Sequence, residues 1–208
     1  MGKSDIKAVV FDLGNVLVDF DHMVAARKIF GLTKKTPREI FDLFFDSELV
    51  ALFEEDKISP LEFFAKTKEM LGLKLDYEQF LPVWNKIFFF TENNRQVYNL
   101  AKSLKKRYKV ALLSNINALH FDYLKKNFPV FDAFQNIITS FEAGARKPAP
   151  LIYKKALDLL GVLPQDTFYT DDRTDLIEKA CSLGIHGFVF KSVEQLKKDL
   201  LDNAITLS

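Results

Sequence analysis

Cysteine is nearly absent. Cys181 stands alone among 208 residues, so no intrachain disulfide is available, and no Cys/His spacing suits structural zinc. A reducing, cytoplasmic setting is expected. Long apolar runs are missing as well: no stretch of about 18 uninterrupted apolar residues occurs, and Met1-Gly2-Lys3-Ser4-Asp5 passes straight into a strand pattern without an apolar leader. No membrane span is expected. Gly2 would suit N-myristoylation, but Ile6 stands where that motif requires Ser or Thr. Charge of one sign is also lacking, because 29 Lys plus Arg offset 28 Asp plus Glu to a net charge of +1. That balance gives no overall attraction to nucleic acid or to anionic membranes. The one basic run, Lys102 to Lys109, falls at the C-terminus of a predicted helix, where cations complement the helix dipole. Any ligand must be held locally, and a small molecule is the expected partner.

What is present is a packed soluble chain, since 48% hydrophobic and 27% charged residues exclude disorder. Its length suits one large domain carrying a smaller insertion. Ile6 to Phe11 is short, apolar and β-branched, and it stops abruptly at Asp12-Leu13-Gly14-Asn15. Similar strands are predicted at Lys109–Leu113, Asn136–Thr139, Thr167–Thr170 and Gly187–Phe190. Helical spacing separates them, as in Val97, Leu100, Ala101, Leu104 and in Phe121, Leu124, Phe128. Alternation of this kind predicts an α/β fold with a doubly wound parallel sheet.

Residues 20–90 break the alternation, with several successive helices and no convincing strand. Ser59-Pro60 followed by Glu62 reads as a helix start, and Tyr77, Phe80, Leu81, Trp84 and Phe88 form one apolar stripe. Residues 1–19 and 91–208 are therefore expected to form the core domain, with 20–90 an inserted helical cap beside the first strand's polar loop. Many of the 21 Phe fall between Phe41 and Phe90, and helical spacing assigns them to cap core before any ligand contact.

Four strand-end loops carry polar residues, and in an open α/β sheet such loops converge at one edge. Asp12 follows a buried strand, so its carboxylate is held at the rim as nucleophile, as metal ligand, or simply as a turn former. Ser114-Asn115 offers a hydroxyl and backbone amides to an anion, or a helix cap. Lys147, in Gly144-Ala145-Arg146-Lys147-Pro148, can place a fixed positive charge in the site. Asp171-Asp172, two adjacent acids ending an apolar strand, need a compensating cation, and a hard ion such as Mg²⁺ is the natural one.

In order and local context these loops resemble the four motifs of the haloacid-dehalogenase superfamily. The resemblance covers nearly the whole chain, through Val-Val-Phe-Asp-Leu-Gly-Asn-Val-Leu, Leu-Leu-Ser-Asn, Gly-Ala-Arg-Lys-Pro-Ala-Pro-Leu-Ile-Tyr and Phe-Tyr-Thr-Asp-Asp. It is similar in particular to the phosphatase branch with a helical cap, and to small sugar-phosphate phosphatases whose first motif reads Asp-Leu-Gly-Asn-Val. The resemblance implies a Rossmann-like core and Mg²⁺-dependent hydrolysis of a small phosphorylated metabolite through an aspartyl phosphate. Asp12 would be the nucleophile. Mg²⁺ would be held by Asp12, Asp172 and the Gly14 carbonyl, with Asp171 supporting that shell. Ser114 would bind a phosphoryl oxygen with Asn115 nearby, and Lys147 would neutralise charge between Asp12 and the phosphoryl group.

Two positions depart from the family pattern. The acid/base Asp usual two residues after the nucleophile is Gly14 here. The acid usual four residues past the metal-ligating Asp172 is Leu176, with Asp175 adjacent. These departures leave room for a catalytically weakened binding or regulatory protein, while a metal-free dehalogenase has no use for Asp171-Asp172. The string Asp171-Asp172-Arg173-Thr174-Asp175 also matches the Asp-Asp-x-x-Asp of terpene synthases, but it follows a strand where those are all-helical. A phosphorelay receiver would be shorter, with its acid pair on the first strand. Ser114 with His120 lacks the Gly-x-Ser-x-Gly elbow of a hydrolase triad.

Overall fold

Four residues, Ala8–Phe11, make β1, and all four are buried. Their side chains alternate: Val9 and Phe11 join one hydrophobic cluster, Ala8 and Val10 another. That double burial sets the architecture, because a strand covered on both faces belongs in the middle of a layered α/β fold. The computed structural model describes residues 5–45 and 47–207. Gly2 lies outside the described residues.

In chain order β1 is followed by β2 (Asp19–Phe20), α1 (His22–Phe30), α2 (Pro37–Phe45), α3 (Glu48–Glu54), α4 (Pro60–Leu71), α5 (Tyr77–Asn85) and β3 (Phe88–Phe89). The core then continues through α6 (Glu92–Leu104), β4 (Lys109–Ser114), α7 (Ala118–Asn127), β5 (Asn136–Thr139), α8 (Ser140–Ala143) and α9 (Pro150–Leu160). It ends with β6 (Thr167–Asp171), α10 (Thr174–Ser182), β7 (His186–Val189) and α11 (Val193–Asp202).

The five core strands form one parallel sheet in the order β5-β4-β1-β6-β7. Successive strands run outward from β1 first to one side and then to the other, so the order reverses at β1. Carboxyl ends on either side of such a reversal bound a crevice. One face is covered by α6, α7 and α11 through Val97, Leu104, Leu124, Leu196 and Leu200. The other is covered by α9 and α10 through Ile152, Tyr153, Ala156, Ile177 and Ala180. The fold is the expected doubly wound α/β sheet, with strand limits displaced by one or two residues from the sequence reading, as end fraying allows.

Helices α1–α5 build a core of their own around Ile29, Ile40, Phe44, Phe53, Phe63, Phe80 and Trp84. Phe53 stacks on Phe63 with centroids 4.4 Å apart, and Phe63 lies 4.7 Å from Trp84. Helix α4 starts where the sequence suggested: Ser59 and Glu62 exchange hydrogen bonds in a capping box with Pro60 at the first turn.

Two expectations for this segment fail. It does contain strand, because β2 and β3 pair antiparallel with Asp19 opposite Phe89 and Phe20 opposite Phe88. Phe88 therefore leaves the apolar stripe of α5, which ends at Asn85, and enters the ribbon. Two-residue strands are too short to show alternation, which is why the pattern missed them. The ribbon is anchored to the core by Asn94, whose Nδ2 donates to Asp19 Oδ1 at 3.0 Å.

Candidate active site

Asp12 lies one residue beyond β1, and its N–H donates to the Thr170 carbonyl of β6 at 2.9 Å. The sheet thus fixes the nucleophile candidate's backbone on the side of the acid pair. Lys147 Nζ reaches Asp12 Oδ1 at 2.7 Å, Asp171 Oδ2 at 2.6 Å, the Leu113 carbonyl at 3.0 Å and the Tyr169 hydroxyl at 3.0 Å. The Lys147 side chain is 2% exposed, and that of Asp171 is fully buried. Burial alone would lower the lysine pKa, but Asp12 and Asp171 more than offset it, and the ammonium titrates above its usual range. Tyr169 also hydrogen-bonds Asp171 Oδ2. Burial first, and Asp171 second, keep that phenol un-ionised, so it donates.

Asp171 has both oxygens engaged, since Oδ1 accepts the Arg173 N–H at 2.9 Å. Asp172 is half-buried, and its Oδ2 accepts from Asn15 Nδ2 at 2.9 Å. Asn15 holds a left-handed backbone at φ 54°, which a short polar side chain tolerates. Burial raises the Asp172 pKa and the Asn15 bond opposes it. Asp12 is pushed up to about 7, by burial first and Asp171 second, against the pull of Lys147.

Oxygens of Asp12, Asp171 and Asp172 all lie within 4.8 Å of one another. Three carboxylates against one bonded ammonium leave two negative charges, which matches a divalent cation, and the donors are the hard oxygens that Mg²⁺ prefers. With both Asp171 oxygens already engaged by Lys147, Tyr169 and the Arg173 N–H, Asp12 and Asp172 are the acids better placed to hold it. Gly14 lines the same cleft.

Ser114 ends β4, is buried and lines the cleft. Asn115 clamps the main chain of Lys147. Its Oδ1 accepts the Lys147 N–H at 2.7 Å and its Nδ2 donates to the Lys147 carbonyl at 2.9 Å. Both ends of the amide thus position the lysine, and Asn115 also lines the cleft beside Ser114. Asp175 does not stand in for the acid absent at Leu176, because it is exposed and pairs with Arg173 at 2.7 Å, while Leu176 is buried. His120 is no partner for Ser114. Its Nε2 lies 3.1 Å from the Trp84 carbonyl and its ring stacks on Trp84 at 4.6 Å. Burial lowers its pKa to about 3, so the neutral ring donates from Nε2 and docks the insertion on the core.

The insertion supplies residues that the sequence reading did not single out. The cleft has a volume of about 430 Å³, and Phe20, His22, Phe44 and Glu54 line it opposite Asp12 and Lys147. Glu54 Oε2 faces Arg146 Nε at 2.6 Å. Burial holds the Glu54 carboxyl above its usual range, with Arg146, then Lys147 and Arg173, pulling the other way. The expectation of Phe as core holds for Phe53, Phe63 and Phe80, whereas Phe20, Phe44 and Phe88 also face the cavities.

Comparison with known proteins agrees with this geometry. Residues 6–178 match the family model of haloacid dehalogenase-like hydrolases. The chain is 29% identical over 189 residues to D-ribitol-5-phosphate phosphatase of Bacteroides thetaiotaomicron, covering 88% of this chain and 91% of that protein. A HAD-family enzyme of the same organism superposes with a TM-score of 0.81 at 29% identity, over 95% of this chain and 99% of the other. A crystal structure of a wild-type HAD-family enzyme from that bacterium, in complex with magnesium and inorganic phosphate, gives a TM-score of 0.77 at 30% identity, over 90% and 96%. Among the described residues no helix is long and apolar enough to cross a membrane.

Proposed function

The chain belongs to the haloacid dehalogenase-like hydrolases, and from that premise we propose that it is a Mg²⁺-dependent phosphatase of a small phosphorylated metabolite, acting through an aspartyl phosphate on Asp12. The observation that carries this reading is the buried Lys147 bridging Asp12 and Asp171 beside a third acid, Asp172. A metal-free displacement does not need that cluster. The relative acting on D-ribitol 5-phosphate favours a sugar or polyol phosphate.

Lys147 holds one Asp12 oxygen and favours the ionised carboxylate that can attack phosphorus. An Asp12 oxygen forms the bond to phosphorus as the bond to the leaving oxygen breaks, and with Gly14 in place of an acid the departing oxygen takes its proton from water. Lys147 meets the charge that gathers on the phosphoryl oxygens, and the Ser114 hydroxyl at the end of β4 donates to one of them. Water then attacks phosphorus, releasing inorganic phosphate and the Asp12 carboxylate. Mg²⁺, held by Asp12, Asp172 and the Gly14 carbonyl, would add electrostatic stabilisation of the same charge. The helical insertion acts as a cap that excludes bulk water.

Chelation with EDTA is expected to abolish hydrolysis of p-nitrophenyl phosphate, and Mg²⁺ to restore it. The ion should also raise the melting temperature of the wild type, because it binds the folded state and relieves the excess negative charge. Hydrolysis that survives complete chelation would sink the metal assignment.

Gly14 bears on the leaving group. A Cβ at this position would sit 2.7 Å from Phe20 Cε1, so the ring fills the space a side chain needs. With no acid there, leaving groups that depart with little protonation are favoured, and sugar 1-phosphates should be hydrolysed with higher kcat/KM than the 6-phosphates. Gly14→Asp alone should gain nothing, since the ring must first move. Combined with Phe20→Ala it should raise rates on poor leaving groups, relative to Phe20→Ala alone, toward the roughly 10²- to 10⁴-fold of a positioned proton donor. Aryl phosphates of graded leaving-group pKa read this out. A slope unchanged by the double substitution would place proton delivery elsewhere.

A further inference from the structure

Glu54 ends α3 on the insertion, and its side chain is 16% exposed. Arg146 Nε lies 2.6 Å away, yet the guanidinium N–H is not directed along that line. Neither Nε nor Glu54 Oε2 has an aligned hydrogen-bond partner, though both atoms are buried. The ion pair leaves the carboxylate with acceptor capacity to spare, and a buried acceptor of this kind is served by a donor on the ligand. The position of Glu54 says which ligand. It lines the cleft that holds Asp12, Ser114 and Lys147, and it also lines an adjoining inner chamber with Phe44, Trp84 and His120. Glu54 thus stands where a substrate's non-phosphate portion has to lie once its phosphoryl group meets Asp12.

The inner chamber measures about 90 Å³. A dry apolar cavity that takes up benzene is larger, ~150 Å³, so fused aromatic rings or terpenoid chains do not fit behind Glu54. A short hydroxylated chain does, and its hydroxyls are donors from which the carboxylate can accept. Arg146 holds the carboxylate in place and opposes the burial that favours its protonated form, and an ionised acceptor strengthens each hydroxyl contact.

We propose that Glu54 is the specificity-determining residue of this phosphatase, accepting hydrogen bonds from the hydroxyl groups of a polyol or sugar phosphate. The inference rests on the phosphatase reading and adds the group that reads the substrate. A site built to bond hydroxyls rejects analogues without them, because its buried polar atoms are then left unpaired.

The test is the kcat and KM of wild type, Glu54→Gln and Glu54→Asp on a five-carbon polyol phosphate and on p-nitrophenyl phosphate, with Mg²⁺ and with melting temperatures alongside. Glu54→Gln should lower kcat/KM for the polyol phosphate mainly through KM, by about 10- to 100-fold, the range of a hydrogen bond to a charged group. That loss should exceed the loss on the aryl phosphate at least about tenfold. Glu54→Asp, which keeps the charge, should recover part of it. Equal losses on both substrates would assign Glu54 to catalysis or to cap packing and overturn the proposal, as would an undiminished rate on the polyol phosphate. A wild type that hydrolyses neither substrate overturns the phosphatase reading itself, and this one with it.

Discussion

Replacing Asp12 by Asn is expected to lower kcat by about 10⁴-fold or more, the scale of removing a covalent nucleophile, while leaving the protein folded. The amide is isosteric with the carboxyl, and the Asp12 main chain stays bonded to Thr170. The variant should also melt higher than the wild type in the absence of Mg²⁺. Asp12 has its folded-state pKa raised to about 7 from 3.8. A group raised in this way contributes stability that is fully present below its unfolded pKa and is lost as pH rises through the folded one. The stability difference between Asp12→Asn and wild type should therefore be small near pH 4 and open up toward pH 8. Mg²⁺ should stabilise the wild type more than the variant, because the variant has lost one anionic ligand. Single-turnover assays and melting curves at both pH values measure this. Wild-type turnover by Asp12→Asn would end the nucleophile assignment, and a stability difference independent of pH would mean that Asp12 is not the acid carrying the site's excess charge.

Replacing Lys147 by Met should damage both stability and turnover. The ammonium is the cation bonded to Asp12 and Asp171 inside a nearly closed site. Removing one partner of a buried ion pair leaves an unpaired charge and typically costs about 3–5 kcal/mol. The deficit should grow with rising pH, since Asp12, already pushed up to about 7, is increasingly ionised and then lacks its cation. Turnover should fall by about 10²- to 10³-fold or more, the loss seen when one preorganised electrostatic group is removed. Lys147→Arg should not rescue either property. The four acceptors around Nζ converge on a point charge, and a planar guanidinium distributes its donors differently. Urea denaturation at pH 5 and pH 8 gives the first readout and steady-state kinetics the second. A Lys147→Met protein as stable as wild type at pH 8 would show that the pair contributes nothing to the fold.

The parallel sheet was readable because its strands are apolar on both faces and end in abrupt polar loops. Asp12, Ser114 and Asp171-Asp172 could be picked out for the same reason, since each terminates or directly follows a strand, whereas Lys147 stands in the loop after α8 and was picked out by its place before a proline and a helix. The ribbon was not readable, since Asp19–Phe20 and Phe88–Phe89 are too short to display a period. The clamp that Asn115 makes on Lys147 was not readable, because the residue type suits an anion site and a main-chain clamp equally. Tyr169 hid inside an apolar strand. Glu54 and the Phe20 ring over Gly14 depend on how the insertion lies across the core, which side-chain periodicity does not encode.

Asp19 and Phe89 are register partners, so the segment between them departs from the core and rejoins it one strand spacing apart. To the parallel sheet, that whole helical excursion is equivalent to the turn of a hairpin. Its length can vary at little cost in chain closure, which grows only logarithmically with loop size. The groups proposed to break the phosphate ester and the groups proposed to choose the molecule thus sit on separately replaceable parts. Selection can exchange the second set while the first stays in register.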